Sequence, residues 1–296
     1  MQEPAHSEWN GRTDGTPFMQ KGLIVIFKVI PPEVMYGVMA LVVPFYMLFK
    51  RKSYLSTYHF FRRRLGKGPL SAFFHVYLNH FCFGQIILDR FGAYAGKNYH
   101  FDIDGLPLMN TLEAQPDGFI LLSSHVGNYE MAGYMLHSKS KRFNALVFAG
   151  ETETVMENRQ RILSQNNISM IPVREDLSHL FAVNAALENG EIVSLPADRI
   201  FGSQKSVDCR FFGEKASFPL GAFAMVVQKN VPVLAVFVLR EGLRKYHAYV
   251  QEVTCDPQTG KREQMAQMAQ NFAEKLEAIV RRYPTQWFNY YDFWKQ

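Results

Sequence analysis

An α/β fold, with a mixed and mostly parallel sheet flanked by helices and an apolar helical segment ahead of it, is what this chain predicts. Three observations carry that expectation. From about Tyr99 onward, short apolar runs alternate with stretches of helical periodicity. Before them, Gly22 to Phe49 is apolar, broken only by Lys28, Pro31, Pro32, Glu33 and Pro44. Between the two regions lies a stretch in which basic and aromatic residues interleave. The chain therefore divides into a polar lead over residues 1–21, a membrane-associating helical region over 22–98, and an α/β domain over 99–296.

The apolar segment is cleanest from Val34 to Phe49, shorter than the roughly 20 residues a helix needs to span a bilayer. A tilted span, a re-entrant hairpin and an interfacial helix pair all fit it, as does a plain core helix. Lys50, Arg51, Lys52, Arg62, Arg63, Arg64 and Lys67 follow with no acid between them, interleaved with Tyr54, Tyr58, Phe60 and Phe61. Basic residues beside an apolar segment attract anionic head groups, so lipid is favoured here over nucleic acid. Ser71 to Tyr94 is a long aromatic helix whose His75 and His80 read as ordinary helix residues.

In the α/β region the strand candidates are Gly118–Ser123, Ala145–Phe148, Ile168–Pro172, Glu191–Leu195, Val231–Leu239 and Tyr246–Val253. Helix candidates are Tyr129–Ser138, Thr152–Gln165, Asp176–Glu188, Phe218–Lys229 and Arg262–Arg282. The 25 Phe and 14 Tyr suit an apolar tunnel or a membrane surface as well as a core. A net charge of +5 is modest. Cys82, Cys209 and Cys255 are odd in number and scattered, which argues for a reducing compartment and against a disulfide framework or a zinc site.

Chemistry concentrates in Leu121-Leu122-Ser123-Ser124-His125-Val126-Gly127-Asn128-Tyr129-Glu130. An apolar strand ends in two serines and a His, Gly127 and Asn128 permit a tight turn, and a helical pattern begins at Tyr129. Open α/β sheets place ligands at such strand ends. On a continuous helix His125 and Glu130 would lie about 140° apart, so they meet only if His125 precedes the helix and Glu130 sits in its first turn. A neutral imidazole is a usable general base, and a carboxylate on its other ring nitrogen fixes the tautomer. A core His with a helix-capping Glu is the plainer alternative. No nucleophile-elbow pattern is evident, so the attacking group is a substrate hydroxyl or amine.

His125 to Glu130 resembles the H-x4-D/E motif of the glycerolipid acyltransferase superfamily, and more narrowly the H-x-G-N-x-E form of the bacterial lipid A biosynthesis (late) acyltransferase family. Later blocks extend the resemblance over nearly the whole chain. Leu195-Pro196-Ala197-Asp198-Arg199 stands in the place of the superfamily's third block, with Arg199 departing from the usual Asp-Gln. An Arg there suits a phosphate, and Asp198 suits orienting either that Arg or His125. Phe211-Phe212-Gly213 with Ala216 to Gly221 is similar to the family's F-F-G…A segment, and places Phe218 at a helix amino end able to hold an anion. Val231 to Val236 is similar to its V-P-V-x-P-V strand. Tyr283 to Trp294 resembles its P-x-Q-W/Y-x-W terminus, a tail that either docks on the core or touches the bilayer. Arg159 lies where the family often places an arginine facing the site.

The resemblance implies a membrane-bound acyltransferase on the bacterial inner membrane, its catalytic domain facing the cytoplasm. It implies transfer of a fatty acyl group from an acyl carrier protein or coenzyme A thioester to a hydroxyl of a lipid acceptor. A lipid A precursor is one such acceptor; a lysophospholipid, an amino-acid lipid or a polyene lipid are others. His125 is expected as the base and Glu130 as its orienting acid. Backbone N–H groups at Gly127 and Asn128 are expected at the oxyanion, and Arg159, Asp198, Arg199 and Phe218 at the substrate. No metal or redox cofactor is expected, and no nucleic acid partner. A lipid ester or thioester hydrolase and a non-catalytic membrane-binding protein are the other classes open to this sequence.

Overall fold

The computed structural model describes residues 17–131, 140–148, 167–173, 178–200 and 205–295. Its centre is a seven-stranded sheet in the spatial order β1-β9-β8-β2-β5-β3-β4. In chain order these are β1 (His100–Asp104), β2 (Phe119–Ser123), β3 (Phe143–Phe148), β4 (Ile168–Val173) and β5 (Ile192–Pro196). A separate hairpin, β6 (Ser206–Phe211) and β7 (Glu214–Pro219), comes next, and β8 (Val233–Gly242) and β9 (Lys245–Glu252) complete the sheet. All neighbours run parallel except β8 and β9, so the sheet is mixed and mostly parallel, as the alternating order predicts.

Strand β2 lies in the middle of the sheet, and its first four residues are fully buried. Successive side chains point to opposite faces. Ile120 and Leu122 join the larger core with Phe211, Phe223, Phe272 and Trp287, whereas Phe119 and Leu121 join a second core with Met109, Leu234 and Tyr246. A strand sandwiched in this way reads as one apolar run.

Among the described residues the α-helices are α1 (Pro17–Val29), α2 (Pro32–Phe49), α3 (Arg51–His59), α4 (Pro69–Tyr94), α5 (Leu106–Ala114), α6 (Ser178–Glu188), α7 (Leu220–Lys229) and α8 (Lys261–Arg282). Pro31 and Pro32 separate α1 from α2, because proline disfavours helix in the residue before it and suits a helix's first turn. Helix α2 buries Pro32, Tyr36, Val43 and Met47. A Cβ on Gly84 of α4 would meet Met39 Cγ at 2.7 Å, so that glycine sets how closely the two helices approach. The opposite face of α2 exposes Val34, Val38, Leu41, Val42, Phe45, Leu48 and Phe49. Among the described residues α2 alone is long and apolar enough to cross a membrane. The basic stretch after it folds as α3 and a π-helical turn, Phe60–Arg64, and Arg64 pairs with Glu214 at 2.7 Å.

Three features depart from expectation. Edge strand β1 alternates polar and apolar residues and is half exposed, so it lacks the apolar run by which the other strands stand out. Helix α5 is a further unexpected element. The β6–β7 hairpin turns at Phe212 and Gly213, both at positive φ, without the Asn-Gly or Asp-Gly pair that advertises such a turn. The carboxyl-terminal segment docks on the core: Trp287 and Phe293 are buried against Phe211. His75 and His80 each set Nδ1 against the carbonyl four residues back, as ordinary helix residues do.

Candidate active site

Strands β2 and β5 run parallel with Ser123 opposite Pro196. Both chains leave the sheet at the same edge, and two residues further on each presents a functional side chain, His125 from one and Asp198 from the other. The two meet twice. His125 Nδ1 donates to Asp198 Oδ1 at 2.8 Å, and the His125 backbone N–H donates to Asp198 Oδ2 at 2.8 Å. The carboxylate fixes the proton on Nδ1, which makes Nε2 the basic nitrogen of the ring. Asp198 is 1 % exposed while the His125 side chain keeps 21 %, so the carboxylate is sealed and the imidazole is not.

The electrostatics suit a base that stays neutral. Burial, then the positive charge of Arg199, hold the imidazole below its ordinary value, against the opposing pull of Asp198. Burial pushes Asp198 up, but His125 and Arg199 outweigh it and leave the carboxyl below its usual range.

The loop after His125 is held by the carboxyl-terminal segment. Val126 forms an antiparallel bridge with Trp287, the Gly127 N–H donates to Gln286 O at 2.7 Å, and the Phe288 N–H donates to His125 O at 3.0 Å. Phe288 O also accepts from Arg199 Nη2. Gly127 has φ 63, and a Cβ there would lie 2.0 Å from Val238 O. Only glycine fits.

Several expectations change. The carboxylate on His125 Nδ1 is Asp198, 73 residues away, and not Glu130. Glu130 Oε2 lies 2.8 Å from Arg90 Nε of α4. The N–H groups of Gly127 and Asn128 are already donated to the carbonyls of Gln286 and Val238, each at 2.7 Å, which removes them as oxyanion donors in this arrangement. Asp198, expected at the substrate, turns both oxygens to His125 instead. Phe218 is 0 % exposed on β7 among Phe211, Phe272 and Phe293; it is a core residue, because the helix begins two residues later. Arg199 stands where its charge reaches His125. Arg159, and the helix expected over Thr152–Gln165, lie outside the described residues.

Gln286 and Phe288 are the residues that sequence reasoning missed. Their contribution to the loop is through backbone groups, which leave no signature in side-chain chemistry. Among the described residues, Asp102, Glu241 and His247 have ligand-type atoms within 4.8 Å of one another. They lie at the β1, β8 and β9 side of the sheet, and His247 is within ion-pair distance of Asp104 and Glu241.

Comparison with known proteins gives the family of the chain. No curated protein matches the chain. Among solved structures it is similar to the crystal structure of the 1-acyl-sn-glycerophosphate (LPA) acyltransferase from Thermotoga maritima. That match covers 86 % of this chain and 99 % of that one, at 12 % sequence identity and a TM-score of 0.38. The family model described as bacterial lipid A biosynthesis acyltransferase matches residues 96–296, more than half of the chain and the whole of the sheet that carries His125 and Asp198. The chain is thus an acyltransferase and belongs to the bacterial lipid A biosynthesis acyltransferase family.

Proposed function

We propose that the enzyme moves a fatty acyl group from an acyl carrier protein or coenzyme A thioester to a hydroxyl of a lipid acceptor, with a lipid A precursor as the acceptor the family favours. The observation that carries this reading is the His125–Asp198 pair at the end of the central strand, in which the carboxylate holds the Nδ1 proton. His125 Nε2 takes the acceptor's hydroxyl proton as its oxygen attacks the thioester carbonyl carbon. The imidazolium that forms is stabilised by Asp198. The C–S bond then breaks, and the departing sulfur takes the proton back from His125. Arg199 supplies positive charge for the developing oxyanion or for an acceptor phosphate. Glu130 acts through Arg90, holding it beside the first turn of the helix that follows the loop.

In this reading the protein sits on the cytoplasmic face of the inner membrane. The exposed apolar face of α2 enters the lipid, and the exposed Lys50, Arg51, Lys52, Arg62 and Arg63 meet anionic head groups. The test is mass spectrometry of total lipids from cells carrying the wild-type protein, the His125→Ala protein, or none. One lipid class heavier by an acyl group only when His125 is intact supports the transfer and names the acceptor. Free fatty acid in place of an acylated lipid, from purified protein and labelled thioester, makes the enzyme a hydrolase instead.

A further inference from the structure

Asp89 of α4 is 0 % exposed and gathers groups from four elements. Its Oδ1 accepts from the Tyr36 hydroxyl of α2, and its Oδ2 accepts from the Tyr246 hydroxyl of β9 and from Arg240 Nε of β8 at 3.1 Å. The Tyr99 hydroxyl, in the segment before β1, donates to the Asp89 carbonyl at 3.0 Å and lies 3.3 Å from Oδ1. A carboxylate this deep is costly to bury, and an apolar replacement is often no less stable. What it does for its neighbours is therefore the useful question.

The answer lies one bond further on. Tyr246 OH accepts from Asn128 Nδ2 at 3.2 Å, and Asn128 is the third residue after His125. A phenol presents a lone pair to an amide donor only when its own proton points elsewhere, and Asp89 takes that proton. The acid thus sets the direction of the Tyr246 hydroxyl, and the hydroxyl sets the orientation of the Asn128 amide. Asn128 is 2 % exposed, with its backbone N–H fixed on Val238 O. A second line reaches the same loop: Gln286 exchanges two hydrogen bonds with the Arg240 backbone, at 2.9 and 2.8 Å, and its own carbonyl accepts from Gly127. The next residue of α4, Arg90, is the partner of Glu130.

We propose that Asp89 and Tyr246 are positioning residues, which hold the loop from His125 to Asn128 in its working shape through the Asn128 side chain and tie it to the helix pair α2 and α4. This rests on the reading of His125 as the base. Neither group touches the reacting atoms, so each acts on turnover and leaves substrate binding alone.

The experiment compares Tyr246→Phe with Tyr99→Phe. Each removes one hydroxyl from Asp89, but only the first breaks the link to Asn128. Acyl transfer from a labelled acyl thioester in lipid extract, thermal melting, and the rate at which diethyl pyrocarbonate modifies His125 are read for both variants. Tyr246→Phe is expected to lower kcat by about tenfold or more with KM unchanged, since small misplacements of a reacting group cost rate steeply. It is also expected to change the His125 modification rate several-fold. Tyr99→Phe is expected to stay within about twofold of wild type in both. Equal behaviour of the two variants, or losses that follow melting temperature alone, overturns the proposal. Should wild-type protein transfer no acyl group, the reading of His125 as the base fails, and the modification rates still decide whether Asp89 and Tyr246 position the loop.

Discussion

Asp198 accepts two hydrogen bonds from one residue, the ring Nδ1 and the backbone N–H of His125, each at 2.8 Å. One carboxylate therefore fixes both the tautomer of the imidazole and the point where the loop leaves β2. Replacing Asp198 by Asn keeps the shape but can turn an amide NH2 toward Nδ1, which favours the wrong tautomer. We expect Asp198→Asn to lower kcat by about 10²- to 10⁴-fold, as in other His–Asp pairs. His125→Ala should lose at least as much. Steady-state transfer rates, with circular dichroism to confirm folding, check both.

The pH dependence follows from the charges around the imidazole. Burial and Arg199 keep the His125 pKa below its usual value, so the base remains active on the acid side of the ordinary histidine range. Arg199→Gln removes one lowering cause, and the acid limb of kcat/KM should move to higher pH. No movement would show that Arg199 does not act on the imidazole. The sign for stability is the same. His125 protonates more readily when unfolded, so stability begins to fall as pH drops below about 6.5 and goes on falling until the folded imidazole also protonates. The lowered Asp198 pKa adds to that loss at still lower pH, as the carboxyl protonates.

Gly127→Ala tests the loop's geometry. The new Cβ would sit 2.0 Å from Val238 O at a residue with φ 63. Such strain costs about 1–3 kcal/mol before any clash is relieved. A melting temperature lowered by several degrees, with activity falling further than stability, is the expected result.

Glu130 and Arg90 are best examined as a pair. Their side chains are 12 % and 17 % exposed and 2.8 Å apart. If Glu130 acts through Arg90, then Glu130→Gln and Arg90→Gln should each lower activity, and together they should do little more than either alone. A coupling of about 1 kcal/mol or more in a double-mutant cycle is expected. Additive losses would mean that Glu130 acts on the site by another route.

Membrane attachment is measurable without any substrate. Changing Lys50, Arg51 and Lys52 together to Ala should weaken binding to vesicles of anionic lipid by about 100-fold, at about 1 kcal/mol per basic residue. Binding to neutral vesicles should change little. Sedimentation with each vesicle type reads the difference.

The central strands of the sheet were legible because β2, β5 and β8 carry apolar runs that packing on both faces demands. Strand β1 was not, because an edge strand with alternating Asp and His needs no such run. Nor was the β6–β7 hairpin, whose turn uses Phe212 at positive φ, a residue that does not announce it. The His125 motif stood out through its polar residues at the end of an apolar strand. Asp198 was visible as an acid at another strand end, with His125 as one of two partners open to it.

By itself the sequence determined the α/β class, the apolar and basic segment ahead of it, and the position of His125 at a strand end. All of these are properties of neighbours along the chain, written in composition and period. Only the tertiary structure decided that Asp198 and not Glu130 meets Nδ1. That outcome depends on the register of β2 against β5, with Ser123 opposite Pro196, which no local pattern encodes. Only the tertiary structure, too, brought Gln286 and Phe288 under the loop and assigned the Gly127 and Asn128 N–H groups to carbonyls. Backbone hydrogen bonds across the fold are made by atoms every residue shares, so the side-chain sequence carries no mark of which ones will pair.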